Sequence, residues 1–164
     1  MITAVALAAV LLLMLGELWL STLHERSLRA RGAVESPDPV YSTMRWAYPG
    51  VFVAMAVEGI LSGPVSTTVV LTGIAIFIAG KVLKIWAIAT LGDRWTYKVF
   101  VVPDVPLVTS GPYRFVRHPN YVGVVGELLG MALITGASVT GPLGLVFFSW
   151  LLVRRIRAED RALR

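Results

Sequence analysis

Residues 2–20 read ITAVALAAVLLLMLGELWL, and this stretch is apolar except for Glu17. A helix of about 20 residues crosses a hydrocarbon core roughly 30 Å thick, so the stretch is long enough to span a membrane. A cleaved signal peptide begins with basic residues and ends at a small-residue cleavage site. Because this stretch starts uncharged and runs into Trp19, we expect the protein to retain it as a first membrane span.

Four further apolar runs follow, at about 46–62, 66–90, 121–136 and 138–153. The chain of 164 residues is 56% hydrophobic and only 15% charged, with a mean hydropathy of +0.74. A soluble domain carries roughly a quarter charged residues, so this composition is too apolar for an ordinary globular core. Without internal repeats, residues 1–164 are predicted to form a single all-α domain, an integral membrane bundle of about five transmembrane helices.

The basic residues support this arrangement, because five spans place all 15 lysines and arginines on one side. The turns SGPVST and TGASVTGP on the other side carry none. Lys81 and Lys84, near the end of the third run, are expected to extend to the basic interface. The positive-inside rule makes the basic side cytoplasmic and leaves the N-terminus outside. No nucleic-acid-binding motif accompanies the net charge of +5, so membrane lipids are the expected partners and nucleic acid is not.

The third connection, at about 91–120, is unusually long and contains four of the nine prolines. Loops of this length in compact proteins are usually functional or disordered. Its aromatic content argues against a disordered linker. We therefore expect a folded cytoplasmic loop before the fourth helix, lying against the helix ends and carrying the functional site. The aromatic residues are Trp95, Tyr97, Phe100, Tyr113 and Phe115.

The segment GPYRFVRHPNY, at 111–121, predicts a defined start for the fourth helix. A residue before proline is pushed out of the helical region, so His118 is extended while Pro119 occupies the first helical turn. Asn120 and Tyr121 then lie at a helix N-terminus, where free backbone N–H groups suit a carboxylate or hydroxyl ligand. The same pattern also fits a plain helix start whose neighbouring arginines bind lipid phosphates.

The C-terminal run RRIRAED, at 154–160, brings Arg155 and Glu159 onto one helix face, because they are four residues apart. One interpretation is a solvated salt bridge beyond the membrane. The other is a glutamate that accepts hydrogen bonds from a cofactor, with Arg155 facing an anionic substrate.

GPYRFVRHPNY, followed about 35 residues later by RIRAED, resembles the isoprenylcysteine carboxyl methyltransferase family of integral membrane enzymes. The resemblance covers roughly residues 80–164 and implies S-adenosyl-L-methionine as the cofactor. It also implies that Arg155 faces the carboxylate of the substrate as a catalytic residue. The implied cofactor-binding positions are Leu107, Val108, Tyr113, His118, Pro119, Asn120, Tyr121 and Glu159.

The stretch from Lys84 to Glu127 is most similar to a short bacterial branch, associated with O-methylation of long-chain alkylpyrones and alkylresorcinols. The eukaryotic pattern differs, with His at the position of Val105 and Gln at that of Lys98. The bacterial branch implies a lipophilic small-molecule substrate and a place in a bacterial inner membrane.

Three carboxylates, Glu17, Glu58 and Glu127, lie inside apolar runs, and an ionisable group at membrane depth is a functional hypothesis. Glu127, about two turns into the fourth helix, is a candidate catalytic base for a phenolic or enolic hydroxyl. It would equally serve as a hydrogen-bonded carboxyl between helices. A structural role is expected for Glu17, and none is evident for Glu58. His24 and His118 are far apart in sequence and form no metal-ligand pattern, so no metal is predicted.

The sequence therefore favours an S-adenosylmethionine-dependent O-methyltransferase of the membrane. Its acceptor would be an isoprenylcysteine-type carboxylate or a long-chain phenolic or pyrone hydroxyl. A small proton-coupled transporter is an alternative that would use the buried glutamates, but it would need neither the 91–120 loop nor the charged tail. A membrane reductase on the same scaffold is a further alternative, although no phosphate-binding glycine-rich loop is visible.

Overall fold

The computed structural model describes residues 1–102 and 105–162. Each of the five apolar runs falls largely within one helix, which confirms the all-α class. Residues 103 and 104 of the long connection and Arg164 of the basic tail lie outside the described residues. The helices are Ile2–Ala30 (α1), Tyr41–Ser62 (α2), Thr67–Leu91 (α3), Pro119–Thr135 (α4) and Thr140–Ala162 (α5).

Two helical segments of the described chain, Ile2–Ala30 and Thr67–Arg94, are long and apolar enough to cross a membrane by themselves. The second includes a short 3-10 turn, Gly92–Arg94, that continues α3. α4 is apolar but has only 17 residues, which rise about 25 Å along a helix axis. The five helices are observed, whereas the number that cross a membrane stays a prediction.

α3 and α4 pack with their backbones in direct contact at glycines. A Cβ atom on Gly80 would lie 2.8 Å from the carbonyl oxygen of Gly123. A Cβ atom on Gly130 would lie 2.7 Å from the carbonyl oxygen of Gly73. Small residues permit such close approach, and helices in membranes use it where no hydrophobic effect drives them together. This contact fixes the side chains of α3 against those of α4.

The apolar core lies mainly between α2, α4 and α5, where Phe52, Leu128 and Phe148 are almost fully buried. Large apolar side chains on the outward faces are exposed instead, for example Leu12 and Val146. Extensive exposed apolar surface of this kind marks a protein that contacts membrane or partner chains.

Glu58 has a structural role at the turn between α4 and α5. Its carboxylate accepts hydrogen bonds from the backbone N–H groups of Val139, at 2.9 Å, and Thr140, at 2.7 Å. The Thr140 hydroxyl donates to it as well, at 2.6 Å. These donors are free at the start of α5, so a side chain from α2 supplies the cap of that helix.

The opposite end of the molecule, which we call the basic end, holds the two long connections and the C-terminal part of α5. Two short antiparallel strands link the connections, and the sequence did not predict them. They are Val34–Glu35 (β1) and Phe100–Val101 (β2), with Val34 opposite Val101 and Glu35 opposite Phe100. The pair ties the α1–α2 connection to the α3–α4 connection, which positions both beside α4 and α5.

Candidate functional site

A cleft of about 520 Å³ opens at the basic end, between the α3–α4 connection, the start of α4 and the end of α5. Seven of the eight residues predicted to bind a cofactor line this cleft. The eighth, Pro119, is buried at the first position of α4. The seven lining residues are Leu107, Val108, Tyr113, His118, Asn120, Tyr121 and Glu159.

The local sequence explains how α4 begins at the cleft. Gly111 has a φ of 57°, a left-handed conformation that starts the 3-10 turn Gly111–Arg114. His118 precedes the helix with a φ of −129° and a ψ of 64°, outside the helical region. Pro119 follows at the first helical position, where its missing N–H has no consequence. The predicted start of this helix is confirmed.

The polar centre of the cleft joins α4 to α5. The Tyr121 hydroxyl donates to Oε2 of Glu159 at 2.8 Å. Nδ1 of His118 lies 3.6 Å from the same carboxylate oxygen, and its Nε2 lies 3.3 Å from Oδ1 of Asp160. The His118 ring also stacks on the Tyr121 ring, with the centroids 5.6 Å apart. Two acidic residues and one imidazole thus face one another across the start of α4.

The electrostatics of this centre favour a charged pair. The nearby Glu159 carboxylate raises the pKa of His118 above its ordinary value, although partial burial opposes the shift. Burial alone would raise the pKa of Glu159, but His118, Arg155 and the Tyr121 hydroxyl outweigh it and hold that pKa below its ordinary value. The carboxylate is therefore available as an acceptor at neutral pH.

Asn120 contributes an acceptor that the protein itself does not use. Its Oδ1 is buried and has no hydrogen-bond partner among residues 1–102 and 105–162. Buried polar atoms are almost always paired, so an unpaired one beside a cleft is a natural contact for a ligand donor.

Arg155 lies behind the cleft rather than in its lining. Arg155 is only 4% exposed, and its guanidinium is paired with the Asp38 carboxylate. It also donates to the backbone carbonyl of Tyr97, at 2.6 Å, and to the hydroxyl of Tyr121, at 3.2 Å. The predicted contact between Arg155 and an acceptor stays a prediction. Sequence reasoning missed Asp38, whose one signal was its place between Pro37 and Pro39.

Glu127 is fully buried in a cluster of charges outside the cleft lining. Its Oε1 lies 3.0 Å from Nζ of Lys81 and 3.6 Å from Nζ of Lys84. Its Oε2 accepts from the Tyr48 hydroxyl at 2.7 Å. Glu17 completes the cluster, at 2.9 Å from Lys81 and 2.6 Å from Lys84. The role of Glu127 as a base stays a prediction.

The expected extension of Lys81 and Lys84 to the interface is wrong. They are 8% and 1% exposed and point inward between α1, α3 and α4. The reason is that Glu17 and Glu127 supply two carboxylates within reach of both ammonium groups. Because both ammonium groups are paired with carboxylates, the two lysines need not extend to water.

Comparison with known proteins finds relatives of this chain. An uncharacterized protein of Bacillus subtilis, YpbQ, is 34% identical over 141 residues, which is 86% of this chain and 84% of the relative. Phosphatidylethanolamine N-methyltransferase B of Dictyostelium discoideum is 37% identical over 83 residues, or 46% of this chain and 41% of the relative.

A probable protein-S-isoprenylcysteine O-methyltransferase of Oryza sativa is 32% identical over 98 residues, covering 56% of this chain and 49% of the relative. No solved structure matches the chain. The model of the isoprenylcysteine carboxyl methyltransferase family matches residues 73–164, which include the start of α4, all the cleft residues except Leu28 and all of α5. The chain therefore belongs to the isoprenylcysteine carboxyl methyltransferase family.

Proposed function

We propose that this chain is an S-adenosylmethionine-dependent O-methyltransferase of the membrane that acts on a lipophilic acceptor. The family and the methyltransferases among the relatives support methyl transfer as the general activity. The observation that carries the cofactor proposal is the unpaired state of Oδ1 of Asn120 within the described chain. This atom has no hydrogen-bond partner within the described ranges and lies in the same cleft as the Glu159 carboxylate.

The residues of the cleft fit the groups of this cofactor. S-adenosylmethionine carries hydrogen-bond donors on its amino group, its ribose and its adenine, and Asn120 and Glu159 offer acceptors for them. At the start of α4, Tyr121 and Val122 donate their backbone N–H groups to the carbonyl of His118, which leaves the N–H of Asn120, within the described residues, as the one that suits the carboxylate of the cofactor. The volume of about 520 Å³ lies within the 300–1,000 Å³ typical of small-molecule sites. When bound, the cofactor would supply an electrophilic methyl group on a positively charged sulfur.

The remaining residues of the cleft would orient the reactants and exclude water, which are the main requirements of an in-line methyl transfer. Trp95, Val99 and Phe100 form an apolar wall of the cleft. Trp95 and Val99 are themselves 4% and 5% exposed, so this wall is held firmly by the protein.

We further propose that the acceptor approaches from the lipid phase. Apolar side chains of the α3–α4 connection are exposed beside the cleft, namely Val105 and Leu107. Phe115 and Val116, just before α4, are exposed as well. In a bacterial inner membrane with the basic end in the cytoplasm, these side chains would meet the acyl or prenyl chain of an acceptor.

The direct test incubates detergent-purified protein with methyl-labelled S-adenosylmethionine and a host lipid extract, followed by mass spectrometry of labelled products. The proposal predicts a labelled lipid whose methyl group is on oxygen. Calorimetry with S-adenosylhomocysteine tests the cofactor site separately. Absence of both binding and label would overturn the proposal, whereas label on nitrogen would correct the acceptor chemistry alone.

A further inference from the structure

The guanidinium of Arg155 is held by protein groups on all three of its nitrogens. Nη1 is paired with the Asp38 carboxylate, Nη2 donates to the carbonyl of Tyr97 and Nε donates to the hydroxyl of Tyr121. The side chains of Arg155 and Asp38 are each only 5% exposed. An arginine fixed in this way is suited to holding neighbouring groups in place.

Tyr121 passes this constraint to the cleft. Its hydroxyl has a single proton, and the bond from Arg155 occupies an acceptor position on the oxygen. The proton is therefore directed to Oε2 of Glu159, at 2.8 Å. Glu159 lines the cleft, so the orientation of its carboxylate depends on a chain of contacts that begins outside the cleft.

Asp38 anchors this chain from the α1–α2 connection. Its Oδ1 accepts a hydrogen bond from the backbone N–H of Val40 at 3.0 Å, which fixes the carboxylate just before α2. Asp38 lies outside the 73–164 range that the family model matches. Without it, the nearly buried guanidinium would have Glu159, on the far side of the Tyr121 hydroxyl, as its remaining anionic neighbour among the described residues.

We propose that Asp38 is a positioning residue for cofactor binding, acting through Arg155 and Tyr121 to hold the Glu159 carboxylate toward the cleft. Arg155 is then part of this positioning chain and does not contact the acceptor. The inference rests on the proposed function, because it assumes that the cleft binds S-adenosylmethionine.

The test measures the affinity of the full chain in detergent micelles for S-adenosylhomocysteine by calorimetry. Asp38→Asn keeps the shape of the side chain but removes its charge. We expect the Kd to rise about tenfold, the lower end of the effect of residues that orient the ligands of a metal site. The matched control is Asp93→Asn, which breaks the exposed Arg31–Asp93 ion pair outside the cleft lining. Its Kd should stay within about twofold of the wild-type value.

A second variant shows whether the effect passes through Tyr121. Tyr121→Phe removes the linking hydroxyl and keeps the ring, so it should raise the Kd by a similar factor. The Asp38→Asn/Tyr121→Phe double variant should then be no weaker than the weaker single variant, since both changes break one chain. If the two factors multiply instead, Asp38 does not act through Tyr121 and the proposal fails.

Other outcomes separate positioning from a purely structural role. If Asp38→Asn lowers the number of binding-competent molecules but leaves Kd unchanged, Asp38 serves only folding and the proposal is overturned. A rise in acceptor KM at constant cofactor Kd would overturn it as well, by returning Arg155 to the acceptor. If wild-type protein itself does not bind S-adenosylhomocysteine, the proposed function fails together with this inference; a failure of the variants alone leaves the proposed function intact.

Discussion

Two groups of polar side chains lie in this molecule, and they differ in how completely they are paired. In the buried cluster, defined by Glu17, Lys81, Lys84 and Glu127, each ammonium lies within 4 Å of both carboxylates. In the cleft, Glu159 faces His118 with space beside it, and Oδ1 of Asn120 is unpaired within the described chain.

The comparison shows that pairing, rather than polarity, separates a structural cluster from a binding site. The buried cluster joins α1, α3 and α4, and the Tyr48 hydroxyl adds α2. Its charges sum to zero and every one of them lies in an ion pair, so the cluster holds helices together. The cleft is lined by Asn120, whose Oδ1 is unpaired within the described chain, so this polar atom is available to a ligand.

The largest expected effect is a loss of stability when the buried cluster is broken. Lys84→Met removes one of its two cations and leaves Glu17 and Glu127 to share Lys81. Loss of one partner from a buried ion pair costs about 3–5 kcal/mol, so the free energy of unfolding should fall by that amount. Denaturation titrations in detergent, followed by circular dichroism, measure this fall in the free energy of unfolding.

The control for Lys84→Met is Lys98→Met, which breaks an ion pair with Glu35 between partly exposed side chains. A pair of this kind contributes less than about 1 kcal/mol. Equal losses for the two variants would show that the buried cluster is not a special source of stability.

The second-largest effect is expected on ligand binding in the cleft. Glu159→Gln keeps the size of the side chain but replaces an ionised acceptor by a neutral one. Hydrogen bonds to charged groups contribute about 1.5–3 kcal/mol, so the Kd for S-adenosylhomocysteine should rise by about 10- to 100-fold. The free energy of unfolding should change much less than in Lys84→Met. A variant that binds normally would remove Glu159 from the cofactor site.

The difference between the two groups also explains what the sequence could predict. The cleft residues from Leu107 to Tyr121 follow one another along the chain, and local turn and helix-start rules place them together. Arg155 and Glu159 share a helix face by spacing alone. The five helices followed from apolar runs that are each contiguous in the sequence.

The parts that escaped prediction depend on contacts between distant segments. The inward direction of Lys84 depends on Glu17, which is 67 residues away, and no pattern near either residue shows that they meet. The pairing of β1 with β2 joins connections more than 60 residues apart through two residues each. Asp38 reaches Arg155 by the same kind of long-range packing.

A third experiment tests whether the buried cluster also takes part in catalysis. Glu127→Gln keeps an acceptor for the Tyr48 hydroxyl, and Glu127 does not line the cleft. We therefore expect turnover per folded molecule to stay within about threefold of wild type, for carboxylate and phenolic acceptors alike. General-base catalysis contributes about 10²–10⁴-fold, so a loss of that size confined to a phenolic acceptor would instead establish Glu127 as the base.

The smallest effect is a pH dependence that belongs to the cleft alone. Because the pKa of His118 is raised in the folded protein, its pairing with Glu159 stabilises the fold fully below the ordinary histidine pKa of about 6.5. That contribution is lost as pH rises through the raised value. The pKa of Glu159 is lowered, so the contribution of the carboxylate is present above its ordinary pKa and lost only as pH falls through the lowered one.

The His118–Glu159 pair is partly exposed, so the stability difference between wild type and His118→Gln should be only about 0.5 kcal/mol near pH 6. It should vanish in alkaline solution, where His118 is neutral. A difference that is constant with pH in denaturation titrations would show that His118 acts through packing on Tyr121 rather than through charge.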